Sequence, residues 1–195
     1  MLTKQDRVSL PWTDTLARLE DERIMLERIA AGVPLQQVLE HVLHAIEAQS
    51  SVKLRASIAL VDDKGTMLVH GAAPSLPDEF NAAVSGVPIR PATGSWGAAA
   101  QSGSPVYVED ISRDPRWEPW RDVALAHGLR ACWSTPIKAP DGRLLGVFSN
   151  YYDESRLPSP HDIDAIALVT RSAALAIERH LLDVALRRSG DRWRA

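Results

Sequence analysis

The chain has 195 residues, 45% hydrophobic and 24% charged, with a net charge of −3 and a single cysteine, Cys132. That length and balance suit one well-buried α/β core and argue against disorder. Arginines are scattered rather than gathered into a basic stripe for nucleic acid, no apolar run approaches the roughly 20 residues of a membrane span, and one thiol permits neither an intrachain disulfide nor a zinc site built on several thiolates. With a polar N-terminus, MLTKQDR, that lacks a secretory apolar region, these features point to a reducing cytosol.

Residues 1–14 read as a loose leader, with Pro11 and Trp12 available to dock on a neighbour. From Thr15, the apolar residues Leu16, Leu19, Ile24, Leu26 and Ile29 recur at roughly helical spacing among charged residues, and Gly32 ends the stretch. Pro34 opens a second helix, 34–49, whose Leu35, Val38, Leu39, Val42, Leu43 and Ile46 form a broad apolar face that requires burial. His41 and His44 lie among Glu40 and Glu47; with no third ligand in evidence they read as a solvated face rather than a metal site. Residues 55–61 and 67–72 flank Asp62-Asp63-Lys64-Gly65, a turn of hairpin length, which predicts adjacent antiparallel strands. A short helix over 76–84 follows, in a stretch punctuated by Pro74 and Pro77.

Residues 94–152 organise the rest. They read as a small-residue helix capped by Thr93 or Ser95, a strand at 106–109, a loop rich in Asp, Pro and Trp, a helix near 120–127, and a hairpin over 130–152 that turns at Pro140-Asp141-Gly142. Along the first hairpin strand Ala131, Trp133, Thr135 and Ile137 point one way and Cys132, Ser134 and Pro136 the other, and neither set is charged. The second strand is apolar on both sides too, so the hairpin is covered on both faces and belongs at the centre of the sheet. Helices 34–49 and 161–188 supply one cover, and the Trp-rich segment 94–128 supplies the other. The last helix, of about 25 residues from Pro160-His161-Asp162, carries Ile163, Ile166, Val169, Ala173, Ile177, Leu181 and Val184 close to a heptad seam. Together with residues 16–29, that seam exceeds what one domain must bury and predicts a homodimer.

The order Gly94-Ser95-Trp96-Gly97, Gly103, Pro105 to Ile111, Gly128-Leu129-Arg130, Ser134 to Ile137, then Asp141-Gly142 and Leu145-Gly146-Val147-Phe148 resembles a GAF domain, the sensory module of bacterial signalling proteins and phosphodiesterases. The resemblance implies an α+β fold: a central antiparallel sheet of five or six strands, long helices on one face, a helix and loop cover on the other, and a ligand pocket under that cover. It divides the chain into a leader and signalling helix (1–32), the GAF domain (33–182), and a linker (183–195) that resembles the opening of a PAS domain. It also implies a covalently linked output module, such as a histidine kinase or cyclic-dinucleotide enzyme, and specifies no cofactor.

Four of the six tryptophans fall between Trp96 and Trp133, in a chain with two phenylalanines. The predicted pocket is lined by Trp96, Trp117, Trp133 and Tyr151, with Asp110 as polar anchor and Ser149 beside them. With Asp114 nearby, such a pocket suits a small cationic or heteroaromatic ligand; the alternative is that the indoles simply pack an irregular loop. Bilin-binding GAF domains usually place His after the attachment cysteine, and here Trp133 follows Cys132; methionine-sulfoxide reductase relatives use more than one cysteine. Cys132 therefore reads as a buried, inert thiol. His127, before Gly128, reads as a helix C-terminal residue rather than a haem ligand. Gly94-Ser95-Trp96-Gly97 lacks the Lys-Ser or Lys-Thr of a phosphate loop, and Ser134 and Ser149 have no neighbouring His in sequence. The expected function is a non-catalytic small-molecule sensor; a ligand-free dimerisation relay and a small redox or hydrolytic enzyme on the same fold are the alternatives.

Overall fold

The computed structural model describes residues 20, 23–25 and 27–192, with side chains to residue 187. Pro11, Trp12, Leu16, Leu19, Leu26 and residues 193–195 lie outside the described residues. Helix α1 (Leu35–Gln49) precedes the hairpin of β1 (Leu54–Val61) and β2 (Met67–Ala72), where the Asp62 carboxylate accepts the Thr66 and Met67 amides at 2.7 and 2.9 Å and so holds the reversal. Helix α2 (Asp78–Val84) starts two residues later than its apolar pattern suggests, because Pro77 keeps an extended ψ of 143°. The two-residue β3 (Val87–Pro88) pairs with β2 and is too short to show a period in sequence.

Then come α3 (Gly94–Ser102), β4 (Val106–Val108), a 3-10 turn (Pro115–Trp117), α4 (Arg121–Ala126), β5 (Ala131–Lys138), β6 (Leu144–Tyr152) and α5 (Pro160–Arg192). All strands join one antiparallel six-stranded sheet in the order β3-β2-β1-β6-β5-β4. This is the expected α+β architecture. β6 sits at the centre between β1 and β5, and β5 is interior. The crossing of β1 and β6 is tight enough to demand Gly146, where an added Cβ would stand 2.3 Å from the Ala59 carbonyl oxygen.

Each face of the sheet carries its own apolar cluster. On one, Leu39 and Leu43 of α1 and Ala173 and Ile177 of α5 pack on Ile58, Trp133 and Phe148. Met25 joins them. On the other, Phe80, Trp96, Ile111, Trp117 and Leu129 pack on Leu68, Cys132, Val147 and Tyr151. The seam read along the last helix is therefore largely spent inside the domain: Ile166, Val169, Ala173 and Ile177 are buried, whereas Ile163 and Leu181 are exposed.

Candidate ligand site beneath the tryptophan cover

Small residues let α3 sink onto the sheet. Gly94, at φ 55°, lies under the Trp96 indole, which would meet an added Cβ at 2.8 Å, and Gly97 packs against the Arg90 carbonyl, which would meet one at 2.8 Å as well. Thr93 is the N-cap but makes no side-chain capping bond. Ser95 does not cap either; it is fully buried and its hydroxyl donates to the Cys132 sulfur at 3.2 Å. The polar side chain expected at a helix start is instead used to tie the cover to the sheet.

The loop after β4 is shaped by two aspartates. Asp110 accepts the Ser112 amide and hydroxyl at 2.9 and 2.6 Å and pairs with Arg113, and the Ser112 hydroxyl foremost holds its carboxyl below the usual range. Asp114 caps the 3-10 turn through the Arg116 amide at 2.9 Å and binds the Arg116 guanidinium; burial works to raise its pKa, but these bonds and that charge outweigh it. Both carboxylates are thus engaged locally. Asp110 stands at a surface turn and does not anchor the predicted pocket.

The turn delivers Trp117 to the interior. Its ring meets Trp96 edge-on at 4.6 Å and Tyr151 at 6.4 Å; Trp96 also meets Trp120 at 5.5 Å, and Phe80 meets Tyr151 at 5.4 Å. Trp120 Nε1 donates to the Ala83 carbonyl at 3.1 Å. The Nε1 groups of Trp96 and Trp117 and the Nε of Arg121 are buried and donate to nothing, although Arg121 Nη2 reaches the Asp114 carbonyl at 3.1 Å. Beneath them runs a line of hydroxyls. Ser134 Oγ lies 2.9 Å from both Ser95 Oγ and Ser149 Oγ, and Ser57 Oγ lies 3.4 Å from the Tyr151 hydroxyl. Burial pushes the Cys132 thiol up to about 12 and the Tyr151 phenol well above its ordinary value, so the whole floor is protonated at neutral pH.

The structure brings Trp96, Trp117, Tyr151 and Ser149 together and takes Trp133 away. Trp133 faces the long helices, 4.3 Å from Tyr152 and 6.3 Å from Tyr107 between ring centroids, with the Arg156 guanidinium 5.1 Å from its ring and its Nε1 donating to the Arg156 carbonyl at 3.0 Å. The cause is one irregularity. Carried straight from the Lys138–Leu144 pair, the register would set Trp133 opposite Ser149 and on the side of Tyr151; the shift between Ile137 and Lys138 sets it opposite Asn150. Ser95, Arg121 and Phe80 were not singled out for this site by sequence. For Ser134 the signal is present in sequence, since it shares the Cys132 side of the strand and points away from Trp133. Of the histidines, His127 ends α4 with its amide bonded to the Val123 and Ala124 carbonyls and its ring 3.1 Å from Glu79, while His44 is exposed beside Glu47. His41 is only partly solvated: its Nε2 is buried without a partner.

A six-stranded antiparallel sheet with long helices on one face and short helices and loops on the other is a GAF-like α+β fold. The chain belongs to the GAF domain family, whose model matches residues 32–178. It is 35% identical over 170 residues to the methyl sulfide methyltransferase-associated sensor of Methanosarcina acetivorans, an alignment that covers 87% of this chain and 17% of that protein. Its fold is similar to residues 122 to 287 of a methyl-accepting chemotaxis protein (TM-score 0.64, 24% identity, 81% of this chain and 98% of that one). It is also similar to free methionine-R-sulfoxide reductase of Neisseria meningitidis in complex with its substrate (TM-score 0.66, 16% identity, 84% and 87%). At those identities the two structures speak to the fold alone. The family and the sensor-named relative support a signalling-sensor role. Among the described residues no helix is long and apolar enough to cross a membrane.

Proposed function

We propose that this GAF domain is a non-catalytic sensor of a small molecule rich in hydrogen-bond acceptors, such as a compact carboxylate, which parts the packed indoles to sit beneath the tryptophan cover. The observation that carries the reading is the set of three buried donors, on Trp96, Trp117 and Arg121, that meet no acceptor. An unmet buried donor costs about 1–3 kcal/mol, and a ligand that supplies acceptors relieves that cost. This reverses the ligand polarity expected from sequence: Asp110 and Asp114 are engaged by their own turns, and the groups left over are donors, one of them cationic. Absence of catalysis is supported by a Cys132 thiol held protonated and by Ser134 and Ser149 hydrogen-bonded to each other rather than to a base.

The signal would leave through α5 to a covalently linked output module, and the reading of residues 183–195 as a linker into a PAS module belongs to the same proposal. A homodimer is favoured by a stripe other than the one read from sequence. Leu175 and Leu182 are seven residues apart with Leu186 four further on, and all three are exposed. Sedimentation at tens of micromolar should give a dimer that Leu182→Glu dissociates. The sensor reading is tested by tryptophan emission during titration with small mono- and dicarboxylates. Saturable quenching that Trp117→Phe weakens about tenfold is expected. A flat response to all of them would leave the relay reading in its place.

A further inference from the structure

On the face of the sheet away from the cover, a cavity of about 540 Å³ opens between α1, α5 and the ends of β1 and β6. Its size lies within the range of small-molecule sites. Val42, Ala45 and Ile46 of α1 and Ala165, Leu168 and Val169 of α5 form an apolar wall, while Gln49, Ser50, Ser51, His161 and Ser172 line the mouth. The floor is polar as well. Asn150 is 2% exposed and lines the cavity; its Nδ2 donates to the Tyr152 hydroxyl at 3.3 Å, and its Oδ1 has no partner. The Tyr152 oxygen accepts that bond and keeps its own proton to give, since burial pushes the phenol up to about 12. From α1, His41 lines the same cavity, and its Nε2 is buried and unpartnered.

A buried asparagine between Phe148 and Tyr152 on an otherwise apolar strand face costs stability unless its amide is satisfied, and packing alone would be served better by leucine. The guanidinium at the floor is already matched. Arg156 pairs with Asp162 at 3.1 Å and stacks on the rings of Tyr152 and Trp133 at 4.6 and 5.1 Å, so a charged occupant would bring a charge with no counterpart. Among the described residues that line the cavity, the buried atoms without a partner are Asn150 Oδ1 and His41 Nε2, and the Tyr152 hydroxyl has a proton to give. The geometry points to a second binding site, on the helix face, for an uncharged and largely apolar small molecule that carries a hydrogen-bond donor beside an acceptor, as a flat lactam does. The N–H of such a molecule donates to Asn150 Oδ1, its carbonyl accepts from Tyr152, and its ring lies between α1 and α5. Its occupancy therefore acts directly on α5, independently of anything bound beneath the tryptophans.

The probe is 2-quinolinone, titrated into the 195-residue chain and followed by side-chain amide and aromatic resonances, with naphthalene as a ring of equal size that lacks the polar pair. Saturable binding of the lactam, at least about tenfold tighter than naphthalene, is expected. Tyr152→Phe and Asn150→Leu should each weaken it about tenfold, Ala165→Trp should abolish it by filling the cavity from α5, and Trp117→Phe should leave it unchanged. Should Asn150→Leu fail to fold, Tyr152→Phe and Ala165→Trp decide. No saturable binding at millimolar lactam, equal affinity for naphthalene, or binding that survives Ala165→Trp would each overturn the assignment.

Discussion

Long regular helices on one face of this sheet leave a cavity of about 540 Å³, whereas the short helices and loops on the other interlock three indoles edge to face and bury two of them almost completely. The sequence reading expects its pocket on the other face, beneath the tryptophans. The opposite follows from shape. A helix is a rigid cylinder whose side chains must bridge whatever distance its axis keeps from the sheet, and α1 and α5 leave between them a wedge that small residues such as Ala45 and Ala165 do not fill. A cover of short pieces can follow the sheet surface, and Gly94 and Gly97 let it approach more closely than any side-chain-bearing helix. What the cover sacrifices is hydrogen bonding rather than volume, which is why its unmet groups are indole and guanidinium donors.

The sharpest test of the contrast acts on what both faces share. Gly146→Ala places a methyl against the Ala59 carbonyl at the centre of the sheet, so both faces should fail together, with a loss of at least about 3 kcal/mol visible as absent or non-cooperative urea unfolding. Next in size, Trp117→Ala and Trp133→Ala should each cost about 3–5 kcal/mol by urea denaturation, but only the first should abolish carboxylate quenching, because the two rings lie on opposite faces. Equal loss of quenching in both would break the assignment of faces. Ser134→Ala takes away the partner shared by Ser95 and Ser149 and should cost about 1–2 kcal/mol without changing the helix-face cavity.

Alkaline pH loads both floors at once. Burial pushes the Cys132 thiol up to about 12 from an ordinary value of 9.0, so the unfolded chain releases its proton first: stability is intact below 9.0 and falls as pH rises toward 12. Tyr151 acts in the same direction from the cover side and Tyr152 from the helix side. Urea midpoints measured across that window should fall less steeply for Cys132→Ala, and a slope unchanged by that substitution would contradict the buried thiol. The smallest effect belongs to Trp117→Phe, which removes an unmet N–H along with part of a ring. Its stability should stay within about 1.5 kcal/mol of the parent while the quenching response weakens.

Local chemistry made most of the fold legible. The β1–β2 hairpin follows from Asp62 to Gly65, α1 from its apolar face after Pro34, the β5–β6 hairpin from Asp141-Gly142, and the central place of β6 from two uncharged faces, because each depends on residues within a turn or two of one another. The engagement of Asp110 by Ser112, two residues on, was of the same local kind. Trp96, Trp117, Tyr151 and Ser149 came together as read. The position of Trp133 did not, although its alternation with Cys132 was plain, because a strand's two sides are named only by its register with the next strand. One shift between Ile137 and Lys138 exchanges them, and its cost or gain is set by packing across the whole sheet. The orphaned donors of the cover and the floor of Asn150, Tyr152 and His41 were likewise decided in three dimensions. Whether a polar group finds a partner depends on what distant segments bring to it, and whether a cavity opens depends on the angle between α1 and α5, neither of which any stretch of residues specifies alone.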